Sequence, residues 1–328
     1  MIADVSGDGK PDLVVANEGS NAISVLLGNG DGTFQAKVDY PAGGGGPQWV
    51  AVADMNGDGK LDLAVTTGND TNTVRVLVGN GDGTFQTAVS YPTGAGPRSV
   101  AAADVNGDGT PDLVVANVVA GTASVLPGNG NGTFQSKVDY PSGVGPNSLA
   151  LGDVNGDGKP DLVLANLNAS TVSVLLGNGN GTFQAKVDYP TGADPFSVAV
   201  TDLSGDGKPD LVVASGIAGT VSVLLGNGNG TFQTKVDYPT GARPASVAAM
   251  DVSGDGKPDL VVANEGTNAV NVLLGNGDGT FQTKVDYPTG AGPDWVAVGD
   301  VDGDGRPDLV VANTGVNTVS VLIATCLP

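Results

Sequence analysis

A nine-residue string, Asp-x-(Ser/Asn/Asp)-Gly-Asp-Gly-x-x-Asp, begins at Asp4, Asp54, Asp104, Asp153, Asp202, Asp251 and Asp300, so one unit of 49 or 50 residues is written seven times. No other feature restricts the fold as much. A repeat of that length is a single supersecondary unit that buries its apolar faces only against its neighbours. A second string, Gly-Asn-Gly-(Asp/Asn)-Gly-Thr-Phe-Gln, starts at Gly28, Gly79, Gly128, Gly177, Gly226 and Gly275, six copies against seven. The repeats divide the 328 residues, read as one domain, at about 1–47, 48–97, 98–146, 147–195, 196–244, 245–293 and 294–328.

Each unit reads as four strands. Residues 49–53 are the first, 62–66 or 112–116 the second, 171–176 the third and 183–189 the fourth. These runs are short, rich in Val and Leu, and bounded by Gly, Asn or Pro. The Asn-Gly steps between third and fourth strands signal a hairpin. Sustained helical periodicity is missing throughout. Four strands in about 50 residues predict an all-β fold, a seven-bladed β-propeller of four-stranded antiparallel blades. The Ala-rich first strand suits the crowded innermost position. The N-terminus leaves blade one a stub of that strand, and the sequence after Val319–Ile323 leaves the last blade three strands. An upstream segment patterned like Lys-Val-Asp-Tyr-Pro would supply the fourth; without it an unpaired edge invites aggregation.

The acidic strings have the donors that a hard cation needs. Calcium takes six to eight oxygens, several of them carboxylate. Positions 1, 3, 5 and 9 supply Asp4, Ser6, Asp8 and Asp12 in the first loop, and Asp54, Asn56, Asp58 and Asp62 in the second. The third and fourth supply Asp104, Asn106, Asp108 and Asp112, then Asp153, Asn155, Asp157 and Asp161. The fifth and sixth, with Ser at position 3, supply Asp202, Ser204, Asp206 and Asp210, then Asp251, Ser253, Asp255 and Asp259. The seventh has four carboxylates, Asp300, Asp302, Asp304 and Asp308. Position 7 adds its main-chain carbonyl: Lys10, Lys60, Thr110, Lys159, Lys208, Lys257 and Arg306. An EF-hand is excluded because position 12, Val65 or Val115, is not Glu and the flanks are strands. One such loop is also what an ion-free Gly/Asp turn looks like; seven copies count against that.

Charge agrees. The net charge is −21, from 35 acidic and 14 basic residues. Three Asp in each loop plus Asp302 account for 22 of the acids, and seven divalent ions would bring −21 to −7. The Asp302 loop should bind tightest, the Ser loops more weakly. An acidic balance of this size excludes a nucleic-acid or anionic-membrane partner. No apolar run of 18 residues spans a membrane, and no basic n-region or apolar h-region opens the chain.

At the Asp-x-Asn-Gly-Asp-Gly-x-x-Asp-Leu-Val loops, Gly-Thr-Phe and Tyr-Pro-Thr-Gly-Ala-Gly-Pro, the chain resembles the FG-GAP/VCBS repeat family, which includes the integrin α-subunit propeller and secreted bacterial proteins. The resemblance covers essentially the whole chain. It implies up to seven calcium ions, an extracellular or cell-surface setting, and a role in adhesion, carbohydrate binding or scaffolding, occasionally within a lyase.

Catalysis is hard to build here. Histidine is absent and Cys326 stands alone, so neither a general base nor a disulfide is at hand. Asp39, Asp139, Asp188, Asp237 and Asp286 recur beside Lys-Val and read as structural. Phe34 to Phe281 and Tyr40 to Tyr287, one each per complete blade, read as inter-blade packing. Two loops vary: the link into the first strand, and the loop between second and third strands, as in Asn69-Asp70-Thr71. Both lie at the end opposite the acidic loops. Trp49, Arg98, Phe196, Arg243 and Trp295 are therefore the candidate ligand residues, with drift among duplicated blades the competing explanation. The reading is a non-catalytic, calcium-stabilised interaction module of a secreted or surface protein. The alternative is a calcium-dependent carbohydrate-binding lectin using the varied face. Ligand and oligomeric state stay open.

Overall fold

A computed structural model describes residues 1–68 and 71–324; Asn69, Asp70 and Cys326 lie outside the described residues. The chain forms seven antiparallel sheets, six of four strands and a last of three, which is a seven-bladed β-propeller with no α-helix among the described residues. Strands follow chain order in every sheet. The second blade is representative: Pro47–Ala53, Asp62–Thr67, Thr73–Leu77 and Val89–Pro92. In the first blade the first strand is only Ile2–Ala3. The last blade holds Pro293–Gly299, Asp308–Asn313 and Thr318–Leu322.

The described residues gather into two compact units: 1–68 and 71–149 with 177–184 and 301–303, and 150–176 with 185–300 and 304–324. In each, the core lies between sheets. Val14, Val25, Val50, Leu63 and Val65 share one cluster in the first unit, and Val212, Val223, Val247, Leu260 and Val262 share one in the second. Second strands are buried on both sides, which explains their unbroken Val/Leu runs.

Neighbouring blades are clipped together at two points. Tyr40 meets Phe85 edge-on, ring centroids 5.4 Å apart, and four further Tyr–Phe pairs repeat the contact. The Phe rings are almost fully buried, so they pack blades and are not platforms for a ligand. In the six four-stranded blades the hairpin following the third strand also reaches the acidic loop of a neighbouring blade. Gly83 donates its N–H to the Val5 carbonyl at 3.1 Å, and Gly279 to that of Leu203 at 3.2 Å.

The fourth strand is shorter than the sequence predicts. Phe183 makes an isolated bridge to Gly177, and regular pairing resumes only at Val187. Between Gly177 and Val174 the third strand spans three residues, while Phe183 to Val187 spans four. The extra residue is a bulge, invisible in a pattern that stays apolar and polar by turns.

Candidate functional site

Each acidic loop joins the first strand to the second, and its glycines adopt the left-handed conformation that lets nine residues turn back tightly, as at Gly57 (φ 75°) and Gly59 (φ 81°). Position 1 organises the turn. Asp54 Oδ1 accepts from the N–H groups of Asn56, Gly57 and Asp58, and Oδ2 from Gly59 at 2.8 Å. Burial pushes this carboxyl up, but the four N–H groups outweigh it and hold it below the usual range. Position 5 is exposed and takes the position-7 N–H; Lys60 donates to Asp58 Oδ1 at 2.9 Å. The position-7 lysine side chain lies near the same carboxylate where Lys208 meets Asp206 at 2.8 Å.

Position 9 does something that sequence reasoning missed. Asp12, Asp62, Asp112, Asp161, Asp210, Asp259 and Asp308 are all fully buried. Asp62 Oδ2 accepts from the Met55 N–H at 2.9 Å and Oδ1 from the Gly79 N–H at 2.8 Å. One carboxylate therefore pins the acidic loop to the hairpin that starts 17 residues later. Gly226 and Gly275 do the same with Asp210 and Asp259, and Ala324 takes that place on Asp308. Burial pushes Asp62, Asp112 and Asp210 up, against the pull of these N–H groups.

The loops are not equivalent. Asp300, Asp302 and Asp304 each offer a carboxylate oxygen, all within 4.8 Å of one another. This is the one group of three acidic side chains so close among the described residues. In the other six loops position 3 is Asn or Ser, so fewer charges converge.

At the opposite end of the strands lie the varied residues. The first strand carries one extra residue there, because pairing shifts between Pro47 and Trp49, and again beside Arg98, Phe196, Ala245 and Asp294. A bulge re-aims a side chain out of the pleat. In the first unit, Arg98 Nε donates to Asn147 Oδ1 at 3.1 Å and Nη1 to Gln48 Oε1, joining equivalent positions of three successive blades. In the second unit, Arg243 pairs with Glu265 at 3.2 Å and draws the Asp194 carboxyl down against a larger upward push from burial. Phe196 and Trp295 in that unit, and Trp49 in the first, are partly buried. Gln48 and Asn147 stand in the varied link into the first strand but carry no motif of their own; their meeting with Arg98 is seen only in the structure.

Fold and loops together define a repeat propeller with an acidic turn in every blade. The FG-GAP-like repeat model matches residues 4–65, 55–115, 116–164, 153–213, 202–262 and 251–311, and the chain belongs to that family. Such repeats are typical of extracellular or surface proteins and often bind calcium. Among curated proteins, none matches. Solved structures that share the fold include the following three. One is an Agrocybe aegerita lectin that recognises non-reducing terminal N-acetylglucosamine (22% identity, TM-score 0.63, covering 97% of this chain and 85% of that one). Another is BBS1N, solved in complex with ARL6DN (15% identity, TM-score 0.70, 99% and 92%). The third is a catalytically inactive virginiamycin B lyase from Staphylococcus aureus with quinupristin (16% identity, TM-score 0.62, 98% and 94%). No helix among the described residues is long and apolar enough to cross a membrane.

Proposed function

We propose that the chain is a non-catalytic interaction module of a secreted or cell-surface protein, acting as one domain whose acidic loops hold calcium. The Asp300–Asp302–Asp304 group carries this reading. Three carboxylates within 4.8 Å repel one another unless a cation sits among them. An all-oxygen donor set suits calcium better than a softer metal. Asp300, Asp302 and Asp304 would hold the ion with the Arg306 carbonyl and Asp308. The other loops present the weaker set of two carboxylates, Asn or Ser, a carbonyl, and a ninth-position Asp already engaged with backbone N–H groups. Bound calcium would supply positive charge that offsets this crowding. The absence of catalysis is supported by the sequence, which has no histidine. The inactive lyase with the same fold has alanine in place of a histidine, and this chain carries no histidine at any position.

The test is calorimetric titration of chelator-treated protein with Ca²⁺, alongside melting curves with and without excess chelator. Saturable uptake is expected, strongest at the seventh loop and weakened there by Asp302→Asn. Each site filled at tenfold its dissociation constant adds about 1.4 kcal/mol of stability. Identical melting in both conditions, with no heat of binding, would sink the proposal.

A further inference from the structure

We propose that the row Gln48–Arg98–Asn147, with Trp49 beside it, binds a carboxylate-bearing saccharide. This rests on the reading of the chain as an interaction module and names what it takes.

Four observations converge within the first unit. The guanidinium of Arg98 is partly buried, fixed at Nε and Nη1 by two neutral amide oxygens, and meets no carboxylate among the described residues. Of the 14 Lys and Arg, at least ten pair with a carboxylate, so a cation held only by neutral amides belongs to the minority. A fixed planar fork with donors to spare matches a carboxylate in geometry and charge. Next, Gln48 Nε2 is buried with no hydrogen-bond partner. Gln48 Oε1 faces Arg98, so the unpartnered amide donors lie on the side of the group away from the guanidinium, and a small side-chain rotation would present them to a ligand oxygen.

Third, Trp49 lies across from Thr66 in the sheet, and Thr66 Oγ1 donates to the Arg98 carbonyl at 2.6 Å. The indole packs against the core cluster that includes Val74 and Val100 yet keeps part of its surface exposed, so it is a fixed apolar face next to the polar row. A hydroxyl-rich ring with an apolar face requires that combination of planar polar groups and an aromatic. Fourth, the bulges free the side chains at 48 and 98 from sheet packing, so their identities are not dictated by the fold.

Repulsion from the acidic loops is small at this distance. Gln48 and Asp54 stand at opposite ends of one strand, about 20 Å apart. That exceeds two Debye lengths of about 8 Å at physiological salt.

The experiment uses the intact chain with calcium present, on an array of uronate-bearing, sialylated, sulfated and neutral glycans. Titration of the best carboxylated trisaccharide and its methyl ester follows. Binding of the free acid is expected, with esterification and Arg98→Gln each weakening it about tenfold or more. Trp49→Ala should weaken it similarly and Arg98→Lys less, while Lys235→Gln, in the other unit and paired only with Asp237, leaves it unchanged. Melting curves verify that each variant folds. The inference is overturned if no glycan binds, if acid and ester bind alike, or if folded Arg98→Gln and Arg98→Lys both bind as the parent does. None of those results touches the calcium reading, which stands or falls on the chelator melts.

Discussion

Asp62 is a charged side chain with no exposure, and that is tolerable because each carboxylate oxygen takes a backbone N–H. The sequence presents the ninth-position Asp as one more metal oxygen among four. Its second role was not legible, since the partner Gly79 is 17 residues distant and nothing local marks it. The two roles separate by experiment. Asp62→Asn leaves one oxygen for two donors and turns an amide group toward an N–H, so it should cost about 1–3 kcal/mol even in excess chelator. Asp58→Asn, at an exposed position, should lower stability only when calcium is present. Urea melts of both variants with and without chelator give the comparison. Equal losses in chelator would return Asp62 to a purely ligating role.

At the scale of the strand and the hairpin, the sequence was most legible where the chain repeats itself. Second and third strands fall within one residue of the expected bounds, because runs such as Asp112–Asn117 are buried on both faces and bracketed by turns. The bulges in the first strand and before the fourth were not legible, because they depend on register between strands and leave no mark in a single run. The hairpin glycines illustrate the same limit. A Cβ on Gly79 would stand 2.1 Å from the Leu61 carbonyl oxygen, whereas one on Gly59 would meet nothing within 4 Å. Sequence alone gives both as invariant turn residues, yet they are invariant for different reasons. Gly79→Ala must displace backbone and should cost about 3 kcal/mol or more. Gly59→Ala suffers only the left-handed conformation, about 1–2 kcal/mol. Thermal melts of the pair should rank Gly79→Ala lower by several degrees; a reversed order would show that the loop, not the hairpin junction, sets local stability.

For the molecule as a whole, the seven-fold repeat and the acidic balance are two readings of one fact, since 22 of 35 acids belong to the loops. If those charges face cations, the metal-free chain should behave as a self-repelling polyanion and the loaded one should not. Ionic strength discriminates, because the Debye length falls from about 30 Å at 0.01 M salt to about 3 Å at 1 M. In chelator, added sodium chloride should therefore raise the melting temperature by several degrees as repulsion between loop carboxylates is screened. With calcium saturating, the same salt should shift it far less, since each filled loop has lost most of its charge. The dependence should steepen with the number of empty loops, so Asp302→Asn alone changes it little, while full chelation changes it most. An equal salt response in both states would mean that the acids are simply a solvated surface, and that the loops keep their shape through hydrogen bonds such as those of Asp54 alone.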